Sequence, residues 1–209
     1  MNKLMSLMNK IPGWVITLLV FGFLYITGLH TQVIGQMQRL ILATGLMNPD
    51  IGQVNHGETT EGSAAGKANA ANPHSGYDFT MTTLDGKIVT MESLKGKVIF
   101  LNQWATWCPP CRAEMPAIEK LYQLMDKDKV AFVMLSLDDD PTKAERYVKQ
   151  EEFSFPVYVP AGPFPQDFMS QAIPTTLILD TDGKIVQRIE GMANYNTDDF
   201  RQYLSSLHK

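Results

Sequence analysis

Cysteine is scarce: the 209 residues hold only Cys108 and Cys111. A structural zinc site takes four protein ligands, so cysteine alone cannot build one here. Histidine gives no help, because His30, His56, His74 and His208 are scattered without ligand spacing, and no metal site is expected. Positive charge is also short, with 18 Lys and Arg against 22 Asp and Glu for a net charge of −4. Nucleic-acid binding depends on neutralising phosphates with a basic surface, and no basic stripe is present, so no nucleic-acid partner is expected. No internal repeat is apparent. With 44% hydrophobic and 19% charged residues the composition is that of a globular protein, which excludes collagen-like and wholly disordered chains.

Charge is missing altogether from Ile11 to Leu29. Nineteen residues at helical rise span about 28 Å, close to the hydrocarbon thickness of a bilayer. Pro12 falls in the first turn, where a helix tolerates it, and Trp14 and Tyr25 lie near the two ends, where amphipathic rings favour the interface. Lys3 and Lys10 precede the run and nothing positive follows until Arg39, so the positive-inside rule puts residues 1–10 in the cytoplasm and the rest of the chain outside. A cleaved signal peptide is the rival reading, but its apolar region is shorter and the following HTQVIGQMQ carries no Ala-x-Ala site. A buried core helix is a third. The preferred reading is an uncleaved transmembrane anchor over residues 11–29, in contact with membrane lipid. Val33, Ile34, Met37, Leu40 and Ile41 continue a helical stripe, giving a juxtamembrane amphipathic segment over residues 30–48.

Large apolar side chains are absent between Val54 and Gly76. Such a stretch cannot bury enough surface to offset its ordering entropy, so residues 49–76 read as a flexible linker. The linker also divides the charge: residues up to Gly76 sum to +1 and those from Tyr77 onward to −5.

Residues 77–209 alternate short apolar runs with amphipathic stretches. Asp85-Gly86 between FTMTTL and KIVTM signals a hairpin. Val98–Asn102 and Ala131–Leu137 are apolar without alternation, as strands covered on both faces are. Met115, Ile118, Leu121, Tyr122 and Met125 form a helical stripe over Pro110–Met125, with a kink expected at Pro116. Asp140-Pro141 reads as an N-cap with proline at the first helical position, opening a helix to about Gln150. A strand over Phe155–Val159, a turn or two of helix over Gln166–Gln171, strands over Thr175–Asp180 and Ile185–Ile189, and a final helix capped by Asn196 or Thr197 complete an α/β sandwich with a mixed sheet.

Cys108 and Cys111 therefore lie just past a buried strand, at the start of a helix. That context makes C-x-x-C a redox pair more than a metal pair. With Cys108 at the N-cap, its sulfur sits where unpaired amides and the helix dipole favour an anion. The thiolate is the nucleophile in disulfide exchange, and Cys111, one turn on and facing inward, is the resolving thiol. Pro110 has no N–H, which leaves the Cys111 amide as the main backbone donor to the Cys108 sulfur.

The run NQWATWCPPCRAEMP, Asn102 to Pro116, with Ile173-Pro174-Thr175 downstream, resembles the thioredoxin superfamily and, within it, the TlpA/ResA-like membrane-anchored thiol-disulfide oxidoreductases. The resemblance covers about Tyr77 to Lys209. It implies a thioredoxin fold extended by an N-terminal β-hairpin and by an inserted α-β unit at about Pro141–Val159. It also implies a cis Ile173–Pro174 bond facing the cysteines, a substrate-binding surface of Trp107, Ile173, Pro174 and Thr175, and Glu114 as the group that tunes the cysteine pKa values. The alternative for Glu114 is a carboxylate complementing the helix N-terminus. Asn102 stands where thioredoxins carry a buried carboxylate, and its amide cannot ionise. Trp104 is expected in the core, and Asp138, Asp139 and Asp140 in a solvated loop. Two departures, Gln103 in place of an aromatic and SQAIPTT without the usual glycine before the proline, bear on the substrate surface.

The function these features imply is reduction of disulfides in exported proteins by an enzyme of a bacterial inner membrane, single-pass, with its C-terminal domain in the periplasm. No cofactor is implied beyond the Cys108–Cys111 disulfide. The implied partners are client proteins, with cytochrome c maturation or oxidative repair as client pathways, and a membrane electron donor. A chaperone holding a soft metal ion such as Cu(I) on the two thiolates is a rival, with no third ligand apparent in sequence. A thiol peroxidase is another, and its Pro-x-x-x-Thr-x-x-Cys context is missing.

Overall fold

The heptapeptide VIFLNQW forms the strand β3 (Val98–Trp104), in which every residue is buried. A strand can be buried throughout only if both faces of its sheet are covered, and successive side chains then belong to different layers. The two apolar clusters of the domain sort in this way: Val98, Phe100 and Trp104 join one, Ile99 and Leu101 the other. The parity carries through the polar pair, so Asn102 points to the first layer and Gln103 to the second.

These relationships come from a computed structural model that describes residues 12–26 and 79–208. Among the described residues a seven-stranded mixed sheet runs β2-β1-β5-β4-β3-β6-β7. The hairpin β1 (Thr80–Thr83) and β2 (Ile88–Thr90) opens the domain. Gly86 in its turn has φ 86°, a left-handed conformation that glycine adopts without a Cβ clash. β3 pairs in parallel with β4 (Val130–Ser136) and antiparallel with β6 (Thr175–Leu179), setting Asn102 opposite Thr176 and Gln103 opposite Thr175. β5 (Val157–Pro160) pairs in parallel with β4 and antiparallel with the hairpin strand β1, and β7 (Ile185–Glu190) closes the other edge with the alternating exposure of a strand wet on one face.

The first layer is made by three helices, α2 (Pro109–Leu124), α3 (Pro141–Gln150) and α4 (Asp198–Ser206), which contribute Met115, Ile118 and Leu121, Ala144 and Tyr147, and Phe200 and Leu204. α3 and β5 form the inserted unit between β4 and β6. Asp140 caps α3 by accepting from the Thr142 amide, and Thr197 caps α4 by accepting from Phe200. α2 runs on through Pro116. The stretch read as one or two helical turns over 166–171 is a single 3-10 turn, Gln166–Phe168, whose Phe168 fills the second layer. Pro165 just before it and the short apolar content leave no amphipathic stripe to stabilise a longer helix.

The helix α1 (Gly13–Ile26) falls within the uncharged run, with Trp14, Ile16, Leu18, Val20 and Phe23 exposed. Its 14 residues rise about 21 Å. Among the described residues no helix is long and apolar enough to cross a membrane. Ile11 and residues 27–29 of the expected anchor, the juxtamembrane segment and the linker lie outside the described residues.

Candidate active site

β3 and α2 together position the cysteines. Proline disfavours the α region for the residue before it and suits the first helical position, so Pro109 at once starts α2 and holds Cys108 out of it. Cys108 has φ −94° and ψ 104° and is the N-cap. Its Sγ accepts from the Cys111 amide at 3.3 Å, the one side-chain cap contact that the two prolines leave. Cys108 and Cys111 are joined as a disulfide. Cys111 is fully buried whereas Cys108 keeps 4% exposure, so an incoming thiolate or disulfide meets the Cys108 sulfur first.

The loop before β6 supplies the opposite wall. The Ile173–Pro174 bond is cis, and the Ile173 carbonyl oxygen lies 3.7 Å from Cys108 Sγ, within reach of an S–H in the dithiol form. Thr175 is buried, and its hydroxyl donates to the Ala172 carbonyl at 2.8 Å. Trp107 leaves its ring 64% exposed beside the nucleophile, while Trp104 is in the core against Tyr147. Gln103 reaches into the second layer and donates to the Phe168 carbonyl, so the polar residue at this place ties β3 to the turn that precedes the Ile173–Pro174 loop.

Glu114 is wholly buried on α2. Its Oε1 accepts from Asn102 Nδ2 at 2.8 Å and its Oε2 from the Ala193 amide at 3.1 Å. Burial pushes its carboxyl up to about 8, against the opposing pull of the Ala193 and Asn102 donors. A carboxyl complementing the helix N-terminus belongs in its first turn, and the first turn of α2 holds no acidic residue. Asn102 also donates to Thr176 Oγ1 at 2.9 Å, and the Tyr195 hydroxyl donates to the same oxygen at 2.7 Å. The Tyr195 phenol is held well above its usual range by burial and then by the Glu114 charge. Ala193, Thr176 and Tyr195 carry no motif that would single them out in sequence; register and the α4 approach bring them to Glu114.

Asp138 corrects the expectation of a solvated loop. Asp139 and Asp140 are exposed, but Asp138 is buried and accepts from the Thr106 amide, from Thr106 Oγ1 at 2.6 Å and from Ser136 Oγ at 2.9 Å. Three consecutive aspartates look equivalent in sequence; only the parallel pairing of β3 with β4 tells which one turns inward. Among the described residues no group of three or more His, Cys, Asp and Glu is placed to hold a metal ion.

Residues 67–206 match the Redoxin family. The chain is 33% identical over 131 residues to the thiol-disulfide oxidoreductase ResA of Bacillus thuringiensis subsp. konkukian, an alignment covering 62% of this chain and 75% of that one. The chain belongs to the ResA-like thiol-disulfide oxidoreductases of the thioredoxin superfamily. Another relative, the thioredoxin-like protein YneN of Bacillus subtilis, is 40% identical over 115 residues, which is 52% of this chain and 65% of YneN. The crystal structure of a thiol:disulfide interchange protein of the thioredoxin family from Chlorobium tepidum superposes with a TM-score of 0.55 at 27% identity, covering 66% of this chain and 99% of that one. The ResA-like chain is thus an enzyme whose redox group is its own Cys108–Cys111 disulfide.

Proposed function

We propose that this enzyme is a membrane-anchored reductase of disulfides in exported proteins. The observation that carries the reading is the asymmetry of the pair: Cys108 alone reaches the surface, at a helix N-terminus, with the Cys111 amide on its sulfur. In the dithiol form the Cys108 thiolate attacks a client disulfide, forming a mixed disulfide and releasing one client thiolate, which takes up a proton. Cys111 then loses its proton and attacks Cys108 Sγ. The second client thiolate leaves, and the Cys108–Cys111 disulfide closes with its two electrons now on the client. Glu114, one turn beyond Cys111 and with its carboxyl raised to about 8, is assigned to receive the Cys111 proton, a task for which the Asn102 amide is unfit. Trp107, Ile173, Pro174 and Thr175 are assigned to hold the client strand. A membrane electron donor restores the dithiol.

The single-pass anchor over residues 11–29, and the periplasmic placement of the domain at the end of the 49–76 linker, are supported by the uncharged run and by the Lys3/Lys10 asymmetry. Cytochrome c maturation is a fitting client pathway, because haem attachment requires a reduced Cys-x-x-Cys-His. Among the described residues no His, Asp or Glu is grouped with the two cysteines as a third ligand, which weighs against a soft-metal chaperone.

Replacing Cys111 with Ser in cells removes the resolving thiol, and client proteins are expected to accumulate on Cys108 as mixed disulfides. A variant that traps nothing, together with wild-type protein that fails to reduce a disulfide substrate, would defeat the reading. The domain should fractionate with the membrane, and protease added to intact spheroplasts should digest it; a soluble form beginning after Leu29, or protection of the domain, would overturn the anchor.

A further inference from the structure

The turn that delivers the nucleophile is four residues long, Ala105-Thr106-Trp107-Cys108, and is closed by the Cys108 amide donating to the Ala105 carbonyl at 3.2 Å. Ala105 and Cys108 are buried in the first layer at the two ends of the turn. Between them the turn is held by Asp138, which comes from the neighbouring strand end. The β3–β4 ladder extends one residue past the end of β4, from the Leu137 amide to the Trp104 carbonyl at 2.8 Å, and so sets Asp138 alongside Thr106. Both carboxylate oxygens then accept from the Thr106 amide, at 3.0 and 3.2 Å, and Oδ1 also accepts from the Thr106 hydroxyl at 2.6 Å. The carboxylate is held in turn by the Ser136 hydroxyl at 2.9 Å, and Ser136 Oγ accepts from the Asp138 amide. Asp138 thus grips both donors of Thr106, two residues before the nucleophile, while being held itself just beyond the end of the buried strand β4.

We propose that Asp138 is a positioning residue for the nucleophile: by clamping Thr106 through its amide and its hydroxyl, it places the Cys108 sulfur at the N-terminus of α2, where the Cys111 amide can stabilise the thiolate. The proposal rests on the dithiol reading and adds to it a residue that touches neither cysteine. It has a diagnostic sign. A carboxylate near a thiolate disfavours it by like charge, so deleting Asp138 for its charge alone would make the thiolate easier to form. Deleting it as a clamp lets the turn drift from the helix end and makes the thiolate harder to form.

The test follows alkylation of Cys108 against pH in the reduced full-length protein, comparing wild type with Asp138→Ala, Asp138→Asn and Thr106→Ala. At pH values below the wild-type Cys108 pKa, Asp138→Ala should slow the reaction about threefold, the effect of half a pK unit on a mostly protonated thiol. Asp138→Asn keeps an oxygen for the Thr106 amide and should not slow it. Thr106→Ala should slow it in the same direction as Asp138→Ala, and combining the two should add little, since the pair acts as one clamp. Faster or unchanged alkylation in Asp138→Ala overturns the proposal; should that variant fail to fold, unchanged alkylation in Thr106→Ala overturns it. Failure of wild-type protein to reduce a disulfide substrate would instead count against the reductase reading and leave this comparison standing.

Discussion

Asn102 Nδ2 donates to Glu114 Oε1 across 2.8 Å, joining the central strand to the helix that carries both cysteines, with both side chains fully buried. The strand's alternation aims Asn102 at the helical layer, and the helix turns Glu114 inward three residues after Cys111. An ionisable group and a group that cannot ionise are thus paired beneath the dithiol, and only the first can exchange a proton.

The Glu114 carboxyl, raised to about 8, makes stability depend on pH in a stated direction. A group whose folded pKa lies above its unfolded value gives stability that is fully present below the unfolded pKa and lost as pH rises through the folded one. The oxidised protein should therefore lose stability between about pH 4.5 and pH 8, by about 1.4 kcal/mol per pH unit at the steepest. Urea unfolding at several pH values checks this, and Glu114→Gln should flatten the slope.

Asn102→Ala removes a donor from the Glu114 carboxyl and one from Thr176 Oγ1. Loss of a hydrogen bond to the charged form raises an acid's folded pKa further, so the upper limit of the pH window of instability should rise while its lower limit, set by the unfolded chain, stays. Leaving buried groups unsatisfied should cost about 1–3 kcal/mol. Unfolding of this variant across the same pH series measures both effects.

One amide on the Cys108 sulfur, with Pro110 unable to add a second, predicts a limited stabilisation of the thiolate. The Cys108 pKa should fall below the free value of about 8.5 and stay well above the roughly 3.5 of a strong oxidant. The couple should then be reducing, nearer to about −270 mV than to about −120 mV. Alkylation against pH and equilibration with a glutathione buffer test the two halves; a pKa under about 5 would make the protein a former of disulfides.

Glu119, on the same helix, accepts from the Ser154 and Phe155 amides and from Ser154 Oγ, tying the connection between α3 and β5 of the inserted unit to α2. Glu119→Ala leaves two backbone donors without that partner and should destabilise the domain by about 2 kcal/mol or more. Thermal unfolding would register this, while the Cys108 pKa should hold, because the contact lies on the far turns of α2.

The local chemistry of this protein was legible from the chain alone, because it depends on neighbours in sequence. Two prolines after Cys108 dictate an N-cap, a helix start and a single amide for its sulfur, Asp140-Pro141 and Asp85-Gly86 mark a cap and a turn that the structure shows, and the last cap is narrowed to Asn196 or Thr197, of which the structure selects Thr197. Unbroken apolar runs marked the buried strands for the same reason. What sequence could not decide was which polar residues meet. Asp138 differs from Asp139 and Asp140 only through the pairing of β3 with β4, and Tyr195, Thr176 and the Ala193 amide reach Asn102 and Glu114 only through strand register and the return of the chain after β7. Burial of a carboxyl, and with it the rise in its pKa, is set by everything packed around it, and that is a property of the assembled layers and of no segment by itself.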